Sequence, residues 1–288
     1  MLFRVVLFAL LLFIPVGVSQ QSFAATTPRP SLVIELIPHP GGTGMVTIKG
    51  QVNGHEGLFL FDTGGGVSYL TPDFARTVGC KQWGQITGFQ LSGDRLDMPR
   101  CDNLSFALKD QKFTIPIGGV FDIMKYMPPN VPRLDGSIGL DLFDGRAVTL
   151  KWSEKLLIVE SPRSFTARIG RTQEIPIRLV RSVEGVALTV DVAVVTTEGM
   201  AWMELDSGNG NTFVIGKHLA PILKLKTGTK EPQPLTLNIG GKIPLTSVAR
   251  VHDTMIMDGN IGTIFLRNWD VTLDLAKGRA WVAQAGSS

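Results

Sequence analysis

Two cysteines, two tyrosines and four histidines are few for a chain of 288 residues, and each shortage excludes something. The histidines, His39, His55, His218 and His252, are scattered, and none stands in an H-E-x-x-H or other metal-ligand spacing. They read as surface or turn residues, and no metal site is expected. No G-x-S-x-G nucleophile elbow occurs. V-I-G-K-H lacks the upstream glycine and the Ser/Thr of a phosphate loop, and no nicotinamide or flavin site is recognisable, so no cofactor is expected. Neither charge dominates: 28 Lys and Arg stand against 25 Asp and Glu, with no dense basic cluster. Nucleic acid and an anionic membrane surface are therefore not expected partners. The apolar run Val5–Val18 is short of the roughly 20 residues a membrane span needs. It follows Arg4 and precedes the small residues Ser22 and Ala24, the order of a secretory signal cut after Ala24. Left uncut, it would be a signal anchor. Cleavage leaves no integral membrane span and directs the protein to the periplasm or the exterior.

What is present suits a folded, β-rich protein. Hydrophobic residues make up 44%, charged residues 18%, and glycine is abundant at 32. Such a chain forms one large domain or two lobes. After a leader read as disordered (25–30), apolar-alternating runs recur between turn signals. S-L-V-I-E-L-I, N-L-S-F-A-L-K-D-Q-K-F-T-I-P-I and A-V-T-L-K-W-S-E-K-L-L-I-V read as strands or hairpins, and V-N-G-H-E-G as a tight turn. T-P-D-F-A-R-T-V-G is the best helix in the first half, with Thr71 as cap, Pro72 at the first position and Gly79 at the end. Residues 161–171 carry little apolar periodicity and read as a linker between lobes at 31–160 and 172–284. Cys80 and Cys101 either pair or remain two buried thiols, and an exported protein favours the disulfide.

L-F-L-F-D-T-G, ending at residue 64, is an apolar strand that stops at an acid, Asp62. A carboxylate there needs something to hold it. The device recurs in W-M-E-L-D-S-G at Asp206, the two triplets lying 144 residues apart. D-G-S-I-G…V-T-L (from 135) and D-G-N-I-G…V-T-L (from 258) align without a gap, with eight of 25 positions identical over 135–159 and 258–282. An internal duplication is the economical explanation. Asp135 and Asp258 read as turn formers. Asp274, facing Lys151 in the alignment, reads as solvent-exposed.

With these residues the chain resembles the pepsin-like and retropepsin-like aspartic proteases, specifically their bacterial, exported, single-chain relatives, over about residues 31–284. The resemblance implies an all-β, bilobal fold with a cleft between two related lobes, able to function as a monomer. It implies that Asp62 and Asp206 form the catalytic dyad and activate a water to hydrolyse a peptide bond in a peptide or protein substrate. Thr63, Gly64, Ser207, Gly208 and Asn209 would support the dyad, the hydroxyls of Thr63 and Ser207 cross-bonding the two turns. Ile138-Gly139 and Ile261-Gly262 would thread behind the turns. A flap hairpin is expected at 82–101, with Trp83, Thr87, Gly88 and Phe89 toward substrate, Gly88 and Gly93 as bends, and the cysteines at its base. Two departures from the family pattern stand out: the flap lacks a tyrosine, and Gly65 and Asn209 occupy positions that the family fills with Ser, Thr or Ala. They motivate an alternative, a peptide- or protein-binding module that kept the fold and lost catalysis.

Overall fold

A computed structural model describes residues 28–42 and 44–286, so the expected export signal lies outside the described residues. The fold is all-β and bilobal, as expected. An eight-stranded sheet forms the first lobe, from Ile37–Pro38 at one edge to Trp83–Phe89 at the other, and a Gln51–Ala107 pairing curls it on itself. A seven-stranded sheet forms the second lobe, running from Ile177–Val180 to Gln233–Ile239, and is closed by a Val194–Ile239 pairing.

A third, six-stranded sheet joins the lobes. Leu32–Glu35, Leu156–Val159 and Ala147–Lys151 come from the first half. Trp269–Asp274, Arg279–Gln284 and Gln173–Ile175 come from the second. The two central strands pair antiparallel, and Thr149 lies directly opposite Thr272. These two threonines are matched positions of the duplicated segment, so a pseudo-two-fold axis passes between them. Their hydroxyls meet at 3.0 Å. Apolar side chains of both lobes form one continuous core, with Trp152, Phe59, Phe61, Phe213 and Phe265 fully buried.

Within each lobe the duplicated motif has the same task. Strand His55–Phe61, which ends at the first acid, pairs in parallel with Gly136–Ile138, and strand Met200–Leu205 pairs likewise with Gly259–Ile261. A parallel partner cannot come from a tight hairpin, so the D-G-x-I-G segment returns from far along the chain. Gly136 is required there: a Cβ would lie 2.1 Å from the Tyr69 carbonyl oxygen of the next strand.

Several sequence expectations are corrected. The linker contains a helix, α2 (Pro162–Ile169; α1 is Pro72–Thr77 and α3 is Thr263–Asn268), closed by a Ser161/Ser164 capping box. Only Ser164 is fully buried and Phe165 and Ile169 are half-buried, so the apolar period it leaves to read is weak. At the end of the leader, the Arg29 carbonyl accepts a hydrogen bond from Ser161 Oγ at 2.8 Å. Thr71 precedes α1 but does not cap it through its side chain; its hydroxyl donates to the Asp135 carbonyl. Asp135 and Asp258 are strand clamps rather than turn formers, accepting from the backbone N–H groups of Leu58 and Trp202. Asp274 is buried, and accepts from the N–H groups of Ala276 and Lys277 in the hairpin that follows. His39 is also buried, held between the Gly41 N–H and the Pro132 carbonyl.

Candidate active site

The two acid turns meet where the lobes face each other. Each acid ends a strand, and its N–H donates to the Ile carbonyl of the threading segment: Asp62 to Ile138 and Asp206 to Ile261, both at 3.0 Å. The next residue binds the opposite turn. The Thr63 N–H donates to Ser207 Oγ at 3.0 Å and the Ser207 N–H to Thr63 Oγ1 at 2.9 Å. The Thr63 hydroxyl then donates to the Leu205 carbonyl at 2.7 Å and the Ser207 hydroxyl to the Phe61 carbonyl at 3.1 Å. All four bonds are buried. Each satisfies a backbone group that would otherwise be orphaned at high cost.

This bracing sets the distance between the acids. A Cβ on Gly64 would lie 2.5 Å from Asp206 Cγ, and one on Gly208 would lie 2.8 Å from either Asp62 oxygen. Any residue larger than glycine at these two positions would push the carboxyls apart. Asp62 Oδ1 accepts from the Gly64 N–H at 3.0 Å. Asp206 Oδ1 accepts from the N–H groups of Gly208 and Asn209, and its Oδ2 from Asn260 Nδ2 at 2.7 Å. Burial, then the charge of Asp206, then a hydrogen bond with that carboxyl raise Asp62 to about 8. Two carboxyls in such contact share one proton and titrate as a pair.

The cleft around the acids is a cavity of about 360 Å³ walled by Tyr69, Leu96, Met98, Phe121 and Met257. Hairpin Trp83–Phe89/Arg95–Leu108 roofs it. Its tip turns at Gly93 (φ +88°), and Leu91 accepts a hydrogen bond from the Ile256 N–H of the other lobe at 3.2 Å. Of the expected flap residues, only Phe89 lines the cavity. Thr87 turns outward to bond Asp97. Gly88 lies within the strand and is no bend; the hairpin's irregularity falls at Gly84 (φ +57°), where the register slips. Trp83 is 54% exposed, donates to Asp102 and carries the Arg100 guanidinium over its ring. Cys80 and Cys101 are disulfide-bonded and tie the hairpin to the segment after α1.

Three residues of the site escaped the sequence reading. Asn260, the variable position of the second D-G-x-I-G, bridges Asp206, Glu204 and Asn209. Glu204, two residues before Asp206 on an alternating strand, points to the same side as that acid; the period alone could have shown it. Asp141 is buried behind the first turn and accepts from the Ser68 N–H and hydroxyl. Burial raises Asp141 to about 6. Asn209 does not reach the dyad with its side chain, which donates to Asn260 Oδ1 and the Thr212 carbonyl.

No family model and no curated protein matches the chain. Among solved structures it is similar to basic 7S globulin from soybean, with a TM-score of 0.56, 11% identity, and coverage of 88% of this chain and 96% of that one. It is similar also to conglutin gamma, a basic 7S globulin from lupine seeds, with a TM-score of 0.57, 10% identity, and coverage of 90% and 96%. Such likeness speaks for the fold alone: a bilobal, double-barrel architecture.

Proposed function

We propose that the interlobe cleft binds a peptide or protein chain and that Asp62 and Asp206 hydrolyse it by activating a water. The observation that supports this most is the reciprocal Thr63/Ser207 bracing, which holds two carboxyls in contact beneath a roofed cavity. In that arrangement the ionised carboxylate takes a proton from water while the protonated one donates to the scissile carbonyl. Water then attacks without a covalent enzyme adduct, and the tetrahedral intermediate breaks its C–N bond as the carboxyl that took the water's proton passes it to the leaving amine. One chain supplies both acids, so a monomer suffices. Export to the periplasm or exterior is part of this reading, supported by the Cys80–Cys101 bond.

A second reading keeps the cleft and drops the chemistry: a peptide- or protein-binding module. Gly65 offers Asp62 no side-chain donor, and Asn209 is engaged elsewhere. The similar structures, named as basic 7S globulins rather than as proteases, favour this reading over hydrolysis. Incubation of the wild type, D62N and D206N with a mixed peptide library from pH 4 to 8 separates the two readings. Hydrolysis predicts products from the wild type alone, with rate losses above about a thousandfold in either variant. The binding module predicts no products from any of the three and retained peptide affinity in D62N.

A further inference from the structure

Strand Met200–Leu205 alternates. Ala201, Met203 and Leu205 face the core, while Trp202 and Glu204 face the other way. Glu204 lines the same cavity as the two acids, yet the residue is only 8% exposed. Among the described residues its carboxylate receives one hydrogen bond, from Asn260 Nδ2 at 3.1 Å, and no basic side chain pairs with it. Two other buried acids have cations, Glu160 with Arg168 and Asp270 with Lys151, while Asp141 and Asp274 are each satisfied by two neutral donors. Asp191, opposite Glu204 in register, has Arg178 at 3.7 Å. Glu204 instead faces Asp62 and Asp206. Burial first, then Asp206, Asp62 and Asp191, hold its carboxyl well above the usual range. A buried acid among like charges costs stability unless something compensates.

The matched position in the first half is Leu60, an ordinary core residue. The second half thus replaces a leucine by a glutamate and supplies Asn260, where the first half has Ser137, to orient it. The same cavity is lined by apolar and aromatic side chains, among them Tyr69, Phe89, Leu96, Met98, Phe121 and Met257. Such walls with an acid among them complement a long aliphatic stem ending in a cation.

We propose that Glu204 is a specificity-determining residue, which receives the ammonium or guanidinium of a lysine or arginine side chain beside the scissile bond, so that the cleft selects basic peptides. The inference rests on the reading of the cleft as a peptide site, though not on its hydrolytic activity. The test uses peptides identical except for Lys, norleucine or Glu at the residues flanking the bond. Wild-type kcat/KM is expected to favour Lys over norleucine by about tenfold or more, a readout that needs no variant. E204Q should bring that ratio to near unity, and E204K should transfer the preference to Glu. A wild-type enzyme that does not favour Lys, or an E204Q ratio equal to the wild type's, overturns the proposal. If no peptide is cleaved, the hydrolase reading falls, and the same peptides are compared by equilibrium binding. Tighter binding of the Lys peptide that E204Q abolishes upholds the role of Glu204, and equal Kd values overturn it.

Discussion

The two acid turns are alike where they touch each other and unlike where they face away. Thr63 and Ser207 make the same pair of bonds in mirrored roles. Glycine follows each, and each acid is tied to an isoleucine carbonyl. Beyond that shared frame the halves part. Leu60, Gly65 and Ser137 in the first correspond to Glu204, Asn209 and Asn260 in the second. The three polar side chains of the second half form one connected network, while among their counterparts Ser137 donates to the Leu60 carbonyl at 3.3 Å. The duplication therefore retains what the axis demands, and change accumulates where only one side of a ligand would feel it.

The comparison can be broken at its centre first. Gly64→Ala places a methyl carbon against Asp206 Cγ, so hydrolysis measured on a cleavable peptide should fall by at least about a hundredfold. Gly208→Ala should do the same, because the contact is mirrored. The next largest effect is on stability. Removing the Cys80–Cys101 bond by a double serine substitution should cost about 3 kcal/mol in denaturant unfolding, with the effect confined to the first lobe, which alone has a disulfide among the described residues.

Thr63→Ala and Ser207→Ala sharpen the symmetry itself. Each strips a buried N–H of its acceptor and a carbonyl of its donor, so each should cost about 2 kcal/mol, and the two costs should be equal. Unequal costs would show that the frame is less symmetrical than its bonds. The acids give a pH signature. Asp62 titrates near 8 in the fold against about 3.9 when unfolded. Its ionisation therefore opposes folding progressively from about pH 4 to 8, so D62N should be more stable than the wild type at pH 8 and lose that advantage below about pH 4. Wild-type hydrolysis should fall as pH rises through about 8, when the pair loses its shared proton. The smallest effect expected is a contrast: Asn260→Ala should lower kcat/KM measurably more than Ser137→Ala, since only Asn260 bonds an acid of the pair.

Periodicity and repetition made most of the fold legible. The strands at 58–61 and 201–205 announced themselves as apolar runs that end at acids, and the 135–159 and 258–282 match revealed the duplication. Thr63 and Ser207 could be placed from the family resemblance. What stayed hidden was polar and local. Helix α2 has a cap and only a narrow apolar face, Phe165 against Trp281 with Ile169 one turn on, so its clearest signal lay in Ser161 and Ser164. Trp83 looks like a cleft aromatic in sequence and is an outward platform for Arg100. Glu204 lies inside W-M-E-L-D-S-G yet carries no signal of its own there, because a charged residue in a run of core residues reads as an interruption until its neighbours in space are known.

The six-stranded sheet has a consequence for anyone who would divide the molecule. Cut between residues 160 and 172, each half would present a naked three-stranded edge with the hydroxyl of Thr149 or Thr272 at its middle. Either fragment, if it kept its shape, would offer that edge to a twin of itself, and a one-lobed version of this chain would be complete only as a pair.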